Sequence, residues 1–339
     1  MKVISIVNQK GGCGKTITAV NLASALSRKG SKTLLIDLDP QAHATCSLQT
    51  ESPYTITDIL ERVSENKPVG AEFASRISDN FHFISSRIGL TYLEHKFSSR
   101  NDKLKILSYM LSQISSDFDY CILDCPPNLG IITLNALWAS SYALIPINTC
   151  EFSLRGAEIL KNMFLMLKEA KDEAPTPFYL LTQVDRRSRF AREFIDEIKS
   201  DFGDLLLETM IRTNTHLREA AAHGMNIFDY KPDSRGAKDY GDLSDEIEKT
   251  TSERNWAPLF IKGREFSDVY VAGDFNDWKQ EDKYRLKRIG IDTWGINLSL
   301  NKGTYRYKFL TNGAWICDPH NKQYENDSYG GKNSLLVIR

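Results

Sequence analysis

Apolar and polar positions along the first 249 residues follow two different periods. Short apolar runs at 3–7, 33–37, 81–85, 120–124, 142–147 and 178–182 predict buried strands. Between them, stretches at 16–29, 103–115, 154–171 and 190–202 space their apolar residues three and four apart, which predicts amphipathic helices. Strand–helix–strand units repeated this often predict an α/β fold, a mostly parallel sheet with helices on both faces. Ligands of such folds collect where the strands end, at their carboxyl edge.

The grammar changes after a polar run, Lys-Thr-Thr-Ser-Glu-Arg at 249–254, which reads as linker. From Pro258 onward, short alternating stretches at 268–273, 293–300, 304–310, 314–318 and 335–338 are separated by turns rich in Gly, Asn and Asp. They predict a small all-β, immunoglobulin-like sandwich. The expected organisation is an α/β domain at 1–249, a linker at 250–257 and a sandwich at 258–339.

Composition adds boundaries. The 339 residues are 41% hydrophobic and 26% charged, with a formal charge of −1, so any nucleic-acid binding must come from a local patch. The chain runs directly into a strand and has no apolar run long enough for a bilayer, so a cytoplasmic protein without a membrane partner is expected. Six cysteines (Cys13, Cys46, Cys121, Cys125, Cys150 and Cys317) lie mostly in apolar segments without zinc spacing, as reduced buried thiols would. His43, His95, His216, His223 and His320 likewise show no metal-ligand spacing.

The densest chemistry lies in Asn8-Gln9-Lys10-Gly11-Gly12-Cys13-Gly14-Lys15-Thr16, between the first strand and the first helix. A glycine-rich turn there presents Gly11, Gly12, Cys13 and Gly14 backbone N–H groups to phosphate oxygens at a helix N-terminus. Lys15 supplies a point charge for the β and γ phosphates, and the Thr16 hydroxyl suits Mg²⁺. Oxidation of Cys13, inside the loop, is expected to block nucleotide binding. Two further strands end in carboxylates, Asp37-Leu38-Asp39-Pro40-Gln41 and Asp124-Cys125-Pro126-Pro127. Carboxylates so placed position a metal shell or an attacking water.

The extra lysine, Lys10, with these elements in this order, resembles the deviant phosphate loop of the ParA/MinD family of dimeric ATPases. The resemblance covers residues 1–249 and implies ATP and Mg²⁺ as ligands. It makes Lys10 a residue that reaches the partner's nucleotide and Asp39 the hydrolytic carboxylate, supported by Asp37. Thr16, Asp37, Asp39 and Asp124 become the metal set. It further implies an ATP-dependent homodimer and a protein partner that stimulates hydrolysis. Ile17 stands where the family has threonine, which removes a contact to the α-phosphate. In Ile211-Arg212-Thr213-Asn214-Thr215-His216-Leu217-Arg218, Arg212 replaces a proline and Arg218 a serine. Arg186, Arg187, Arg189 and Arg192, with Arg218, are candidates for non-specific DNA phosphates. The same arginines equally suit a solvated face paired with Glu193, Asp196 and Glu197.

In the C-terminal region, Trp278 and Trp315 follow turns, with Lys308 and Asn333 nearby in sequence pattern. Indole faces stack on the apolar faces of sugar rings, while lysine and asparagine meet the hydroxyls. The set, from Pro258 to Arg339, resembles the glycogen-binding module of the AMP-activated kinase β subunit, a family 48 carbohydrate-binding module. That implies stacking by Trp278 and Trp315 and hydroxyl contacts from Lys308 and Asn333. Tyr329 takes the place of the family's ring-penetrating leucine, and Gly331 that of a threonine. Trp294, in an alternating strand, reads as core. Three functions fit: a nucleotide-switched dimer that positions an α-glucan, a regulatory subunit docked on a polysaccharide-metabolising enzyme, and a partition ATPase whose sandwich is a brace.

Overall fold

The computed structural model describes all residues except 149–162, 165, 168, 169, 171–173, 186, 188, 253, 254, 289–291, 328, 329 and 339. Most of the expected helix at 154–171, and with it Cys150, therefore lies outside the described residues.

Among those described, the N-terminal region builds one eight-stranded sheet from β1 (Lys2–Ile6), β2 (Thr33–Asp37), β3 (Ser75–Arg76), β4 (Phe81–Ile84), β5 (Tyr120–Asp124), β6 (Tyr142–Asn148), β7 (Thr176–Val184) and β8 (Leu206–Arg212). The order is β3-β4-β2-β5-β1-β6-β7-β8, parallel throughout except for β3 against β4. Side-chain alternation splits the core between the faces. Leu34, Ile36, Leu123 and Ile145 face the helices Ile56–Ser64, Leu90–Ser98, Ile106–Gln113 and Ile131–Ala139. Ile4, Ile6, Leu35 and Ile122 face the helices Lys15–Arg28 and Arg235–Ser252. Both faces are covered, which is why these strands read as continuous apolar runs.

The polar run at 249–254 is not a loop where it can be followed. The helix Arg235–Ser252 takes in its first four residues, and β9 (Asn255–Lys262) begins directly after the run. The reason is packing. Thr251 is buried at the foot of the sheet, donates its hydroxyl to Ile247 O at 2.8 Å and accepts the Lys2 ammonium at 3.2 Å.

The remaining strands are β10 (Val269–Gly273), β11 (Lys287–Arg288), β12 (Thr293–Leu300), β13 (Gly303–Thr311), β14 (Ala314–Ile316), β15 (Tyr324–Asn326) and β16 (Lys332–Ile338). They form two antiparallel sheets, β10-β13-β16-β15 with β14 on β13, and β11-β12-β9. Between them lies a separate apolar core that includes Trp294, Tyr307 and Phe309. The three-stranded sheet rests on the α/β domain. Phe260 of β9 stacks on Phe164 at 6.4 Å and 9°, and Asn297 of β12 donates its amide to Pro177 O of β7 at 3.1 Å.

Candidate functional site

Five parallel strands deliver their carboxyl ends to one edge. β1 feeds the glycine loop, β2 ends at Asp37, β5 at Asp124, β6 at Asn148 and β7 just past Thr182. Asp37 lies opposite Asp124, and Asn148 opposite Thr182. Within the loop, Gly12 and Gly14 have φ of +72° and +90°, left-handed backbone that a side chain would strain. Gly14 begins the helix Lys15–Arg28 with no side chain capping it, so its first N–H groups stay open at the positive end of the helix. The Asn8 amide donates to Pro146 O at 2.7 Å and pins the loop's entry. The Lys15 ammonium, only 8% exposed at residue level, folds back to Lys10 O at 2.9 Å. Lys10 points elsewhere, with its Nζ 3.0 Å from Asn148 Oδ1.

Cys13 lies inside the loop as expected. Its thiol is buried, donates to Lys10 O at 3.2 Å, and is pushed above its ordinary pKa by that burial. A protonated, enclosed thiol is a poor target for oxidation. Conversely Cys46, expected to be buried, is exposed, as a residue of the short helix His43–Leu48.

Three buried carboxylates face the loop. Asp37 accepts Asp39 N at 3.0 Å and both the N–H and hydroxyl of Thr45, at 2.9 and 2.8 Å. Burial nonetheless pushes it up to about 6. Asp39 accepts Gln41 N at 2.9 Å and lies 3.5 Å from His43 Nδ1. Asp124 is fully buried, and neither of its oxygens has a hydrogen-bond partner among the described residues. Its pKa is raised well above the carboxylate range by burial first and the Asp37 charge second. The neighbouring Thr16 hydroxyl and Lys15 ammonium oppose this without cancelling it. An orphaned carboxylate beside a threonine hydroxyl, in a site with more buried acid than base, is a donor set that fits Mg²⁺.

The raised pKa values have a stability consequence. A carboxylate that binds its proton more tightly folded than unfolded favours the fold at low pH. For Asp37 that contribution is lost as pH rises from about 4 through about 6. A buried, unpaired carboxyl at Asp124 costs roughly 1–3 kcal/mol, and more once it ionises. The nucleotide-free Asp124→Asn chain should therefore melt above the wild type at pH 7.5, with the gap closing toward pH 5, while its Mg²⁺-dependent hydrolysis is lost. Thermal melts across that range check the sign; a gap that widens on acidification contradicts it.

Beside the loop, a cleft of about 190 Å³ is lined by Gly14, Ile17, Gln183, Thr213, Arg218 and Tyr240. Arg218 is exposed there. Arg212 is not available to a ligand in the same way, because its guanidinium pairs with buried Asp239 and its N–H donates to the same carboxylate at 2.9 Å. Of the arginine cluster, Arg186 lies outside the described residues. Arg189 and Arg192 are placed on the helix Arg189–Phe202 by backbone alone. Arg187 chelates Asp185 at 2.9 and 2.7 Å.

On the sandwich, Trp278, Trp315, Lys308 and Asn333 converge on one cleft of about 930 Å³. The two indoles stand 6.1 Å apart at 59°, and Trp315 is 47% exposed. Trp294 is buried, as its position in an alternating strand implies. Tyr329 lies outside the described residues. Beyond the residues expected there, Asp274, Arg306, Asn326 and Asp327 also line the cleft. Asp274 accepts the Trp278 indole N–H at 3.2 Å and both Arg306 N and Nε at 2.9 Å, and Asp327 accepts the Lys308 ammonium at 2.7 Å. Alternation on β13 could have found Arg306, two residues from Lys308 and therefore on the same face.

Two family models match the chain: an AAA domain over residues 1–174 and the glycogen recognition site of AMP-activated protein kinase over 261–339. The sporulation initiation inhibitor protein Soj of Bacillus subtilis is 35% identical over 247 residues, 73% of this chain and 98% of that protein. The chromosome-partitioning ATPase Soj of Treponema pallidum is 31% identical over 75% of this chain and 99% of its own. Among solved structures, cobyrinic acid a,c-diamide synthase from Mycobacterium smegmatis, with bound ATP analog and magnesium, superposes with a TM-score of 0.62. It is 25% identical and covers 75% of this chain and 97% of that one. The doubly covered parallel sheet, the phosphate loop with its extra lysine, the strand-end carboxylates and these matches together make this chain a member of the ParA/MinD-type P-loop ATPases, with a glycogen-recognition-type sandwich after its ATPase domain.

Proposed function

We propose that the chain is an ATP-switched homodimer that tethers an α-glucan. In this reading the N–H groups of Gly11 to Thr16 hold the triphosphate, and Lys15 turns from Lys10 O to the β and γ phosphates. Thr16 and Asp124 hold Mg²⁺, which when bound neutralises phosphate charge and supplies the countercharge that Asp124 lacks. Asp39, oriented by its N–H bond to Asp37, positions the attacking water. Ile17 and the neighbouring cleft take the nucleoside side. Lys10 leaves Asn148 for the partner's phosphates, so contacts that exist only with the γ-phosphate hold the dimer and vanish on hydrolysis.

The observation that carries the glucan half is the open aromatic cleft. Two indoles inclined at 59° form an angled platform rather than a flat one, which suits a curved α-linked chain. Lys308 and Asn333 address the hydroxyls, with Tyr329 the remaining candidate. A two-cleft dimer on a branched polymer gains avidity. The chromosome-partitioning name of the Treponema pallidum relative favours a second element, a DNA matrix contacted through Arg187, Arg189, Arg192 and Arg218 with Arg186, and the ParA/MinD membership adds a protein partner that stimulates hydrolysis.

Sedimentation tests the switch. With hydrolysis blocked by Asp39→Ala, the chain should be dimeric in saturating MgATP. Adding Lys10→Ala should leave nucleotide affinity within about threefold, since the lysine acts in the partner's site, yet return the chain to monomer and reduce its retention on glycogen at least about tenfold. A monomer in both cases defeats the reading.

A further inference from the structure

The end of β7 grips the phosphate loop from outside. The Thr182 hydroxyl donates to Cys13 O at 2.8 Å, and the Gln183 side-chain amide donates to Gly12 O at 2.7 Å. Gln183 does this from a backbone φ of +54°, where a long side chain is strained. Thr213 secures that conformation, with its hydroxyl donating to Gln183 O at 2.9 Å and its N–H to Val184 O at 3.1 Å. A trans peptide plane points its C=O and N–H in opposite directions. Holding the Gly12 and Cys13 carbonyls toward β7 therefore turns the N–H groups of Cys13 and Gly14 away from it.

We propose that Gln183 is a positioning residue for the ATPase reaction: its amide fixes the Gly12–Cys13 peptide plane so that the Cys13 N–H is aimed at phosphate before nucleotide arrives. Glycines at 12 and 14 leave this segment free to rotate, with no neighbouring atom within 4 Å of a Cβ built on Gly11 or Gly12. The loop's internal bonds hold Lys10 O, whereas the Gly12 carbonyl is held by this side-chain clamp from another strand. The clamp acts on ground state and transition state alike, so its loss weakens binding and leaves the chemical step nearly intact.

The test uses the full chain with Gln183→Ala, Gln183→Gly and Gln183→Glu. Alanine and glycine should each raise the KM for ATP about five- to tenfold with kcat within about twofold. Glycine, which adopts φ of +54° without strain, should melt no lower than wild type, separating the lost hydrogen bond from any loss of fold. Glutamate opposes a carboxylate to the Gly12 carbonyl and should raise KM further at pH 8. On acidification toward pH 5.5 its protonated carboxyl can donate where the amide did, so its KM relative to wild type should fall back. Unchanged KM in the alanine and glycine variants, or a glutamate-to-wild-type KM ratio that ignores pH, overturns the proposal.

Discussion

Lys15→Ala should abolish nucleotide binding, with ATP affinity falling by more than about a hundredfold and hydrolysis undetectable. Lys15 is the buried cation of the loop, and its ammonium bonds Lys10 O. Three carboxylates crowd the same edge, two of them with raised pKa. Removing the lysine leaves a site of net negative charge for a ligand that is itself strongly negative, and also removes charge-assisted bonds worth about 1.5–3 kcal/mol each. The fold should survive, because the ammonium's bond to Lys10 O replaces no apolar packing. Titration calorimetry with MgATP, beside a melt of the same sample, reads both quantities. Affinity within threefold of wild type would place the triphosphate somewhere other than this loop. The contrast with Lys10→Ala is the informative one: two lysines five residues apart, one required for holding nucleotide and the other for joining two copies.

Much of this site was legible because its parts are local. Glycines, Lys15 and Thr16 sit in one nine-residue string, and Asp37 and Asp124 each end an apolar run. What escaped were partners brought in by topology. Asn148 meets Lys10 from 138 residues away, and Thr182 and Gln183 reach the loop from 169 and 171 residues away. Nothing in a strand's own composition says which neighbour its end will touch; that follows from β7 lying beside β6, and β6 beside β1. The same holds for β8, unrecognised in the sequence because Glu208 interrupts its apolar pattern. As an edge strand it can expose that residue, and the Glu246 carboxylate of the last helix accepts its Glu208 and Thr209 N–H groups at 2.8 and 2.9 Å. The polar run at 249–254 misled for the opposite reason, since a threonine hydroxyl can be satisfied inside a packed helix end as well as in a loop.

How the sandwich is attached also bears on function. Phe260 of β9 belongs to the α/β core, while the aromatic cleft is built from residues of the other sheet and its turns. One sheet is therefore committed to the ATPase domain and the other is left to a ligand. The strand that receives Asn297 at Pro177 is the strand whose far end clamps the loop. β7 thus links the phosphate loop to the sheet that backs the sandwich, without itself lining the aromatic cleft.

Trp278→Ala with Trp315→Ala should eliminate retention on glycogen. A central tryptophan in a binding surface is worth about 2 kcal/mol or more, so losing both weakens binding on the order of a thousandfold. Neither ring belongs to the sandwich's apolar core, and Asp274, on losing the Trp278 indole, still pairs with Arg306. The double variant should accordingly keep its melting temperature and its ATPase activity. Trp294→Ala makes the necessary contrast. That indole is buried, donates to Gly263 O at 3.3 Å and packs in the core, so its removal costs about 3–5 kcal/mol and unfolds the sandwich. Co-sedimentation with glycogen, read beside melts of all three chains, separates lost stacking from lost structure. Equal retention of wild type and double variant would remove the indoles from sugar recognition and leave the sandwich as a brace on the β7 side of the ATPase.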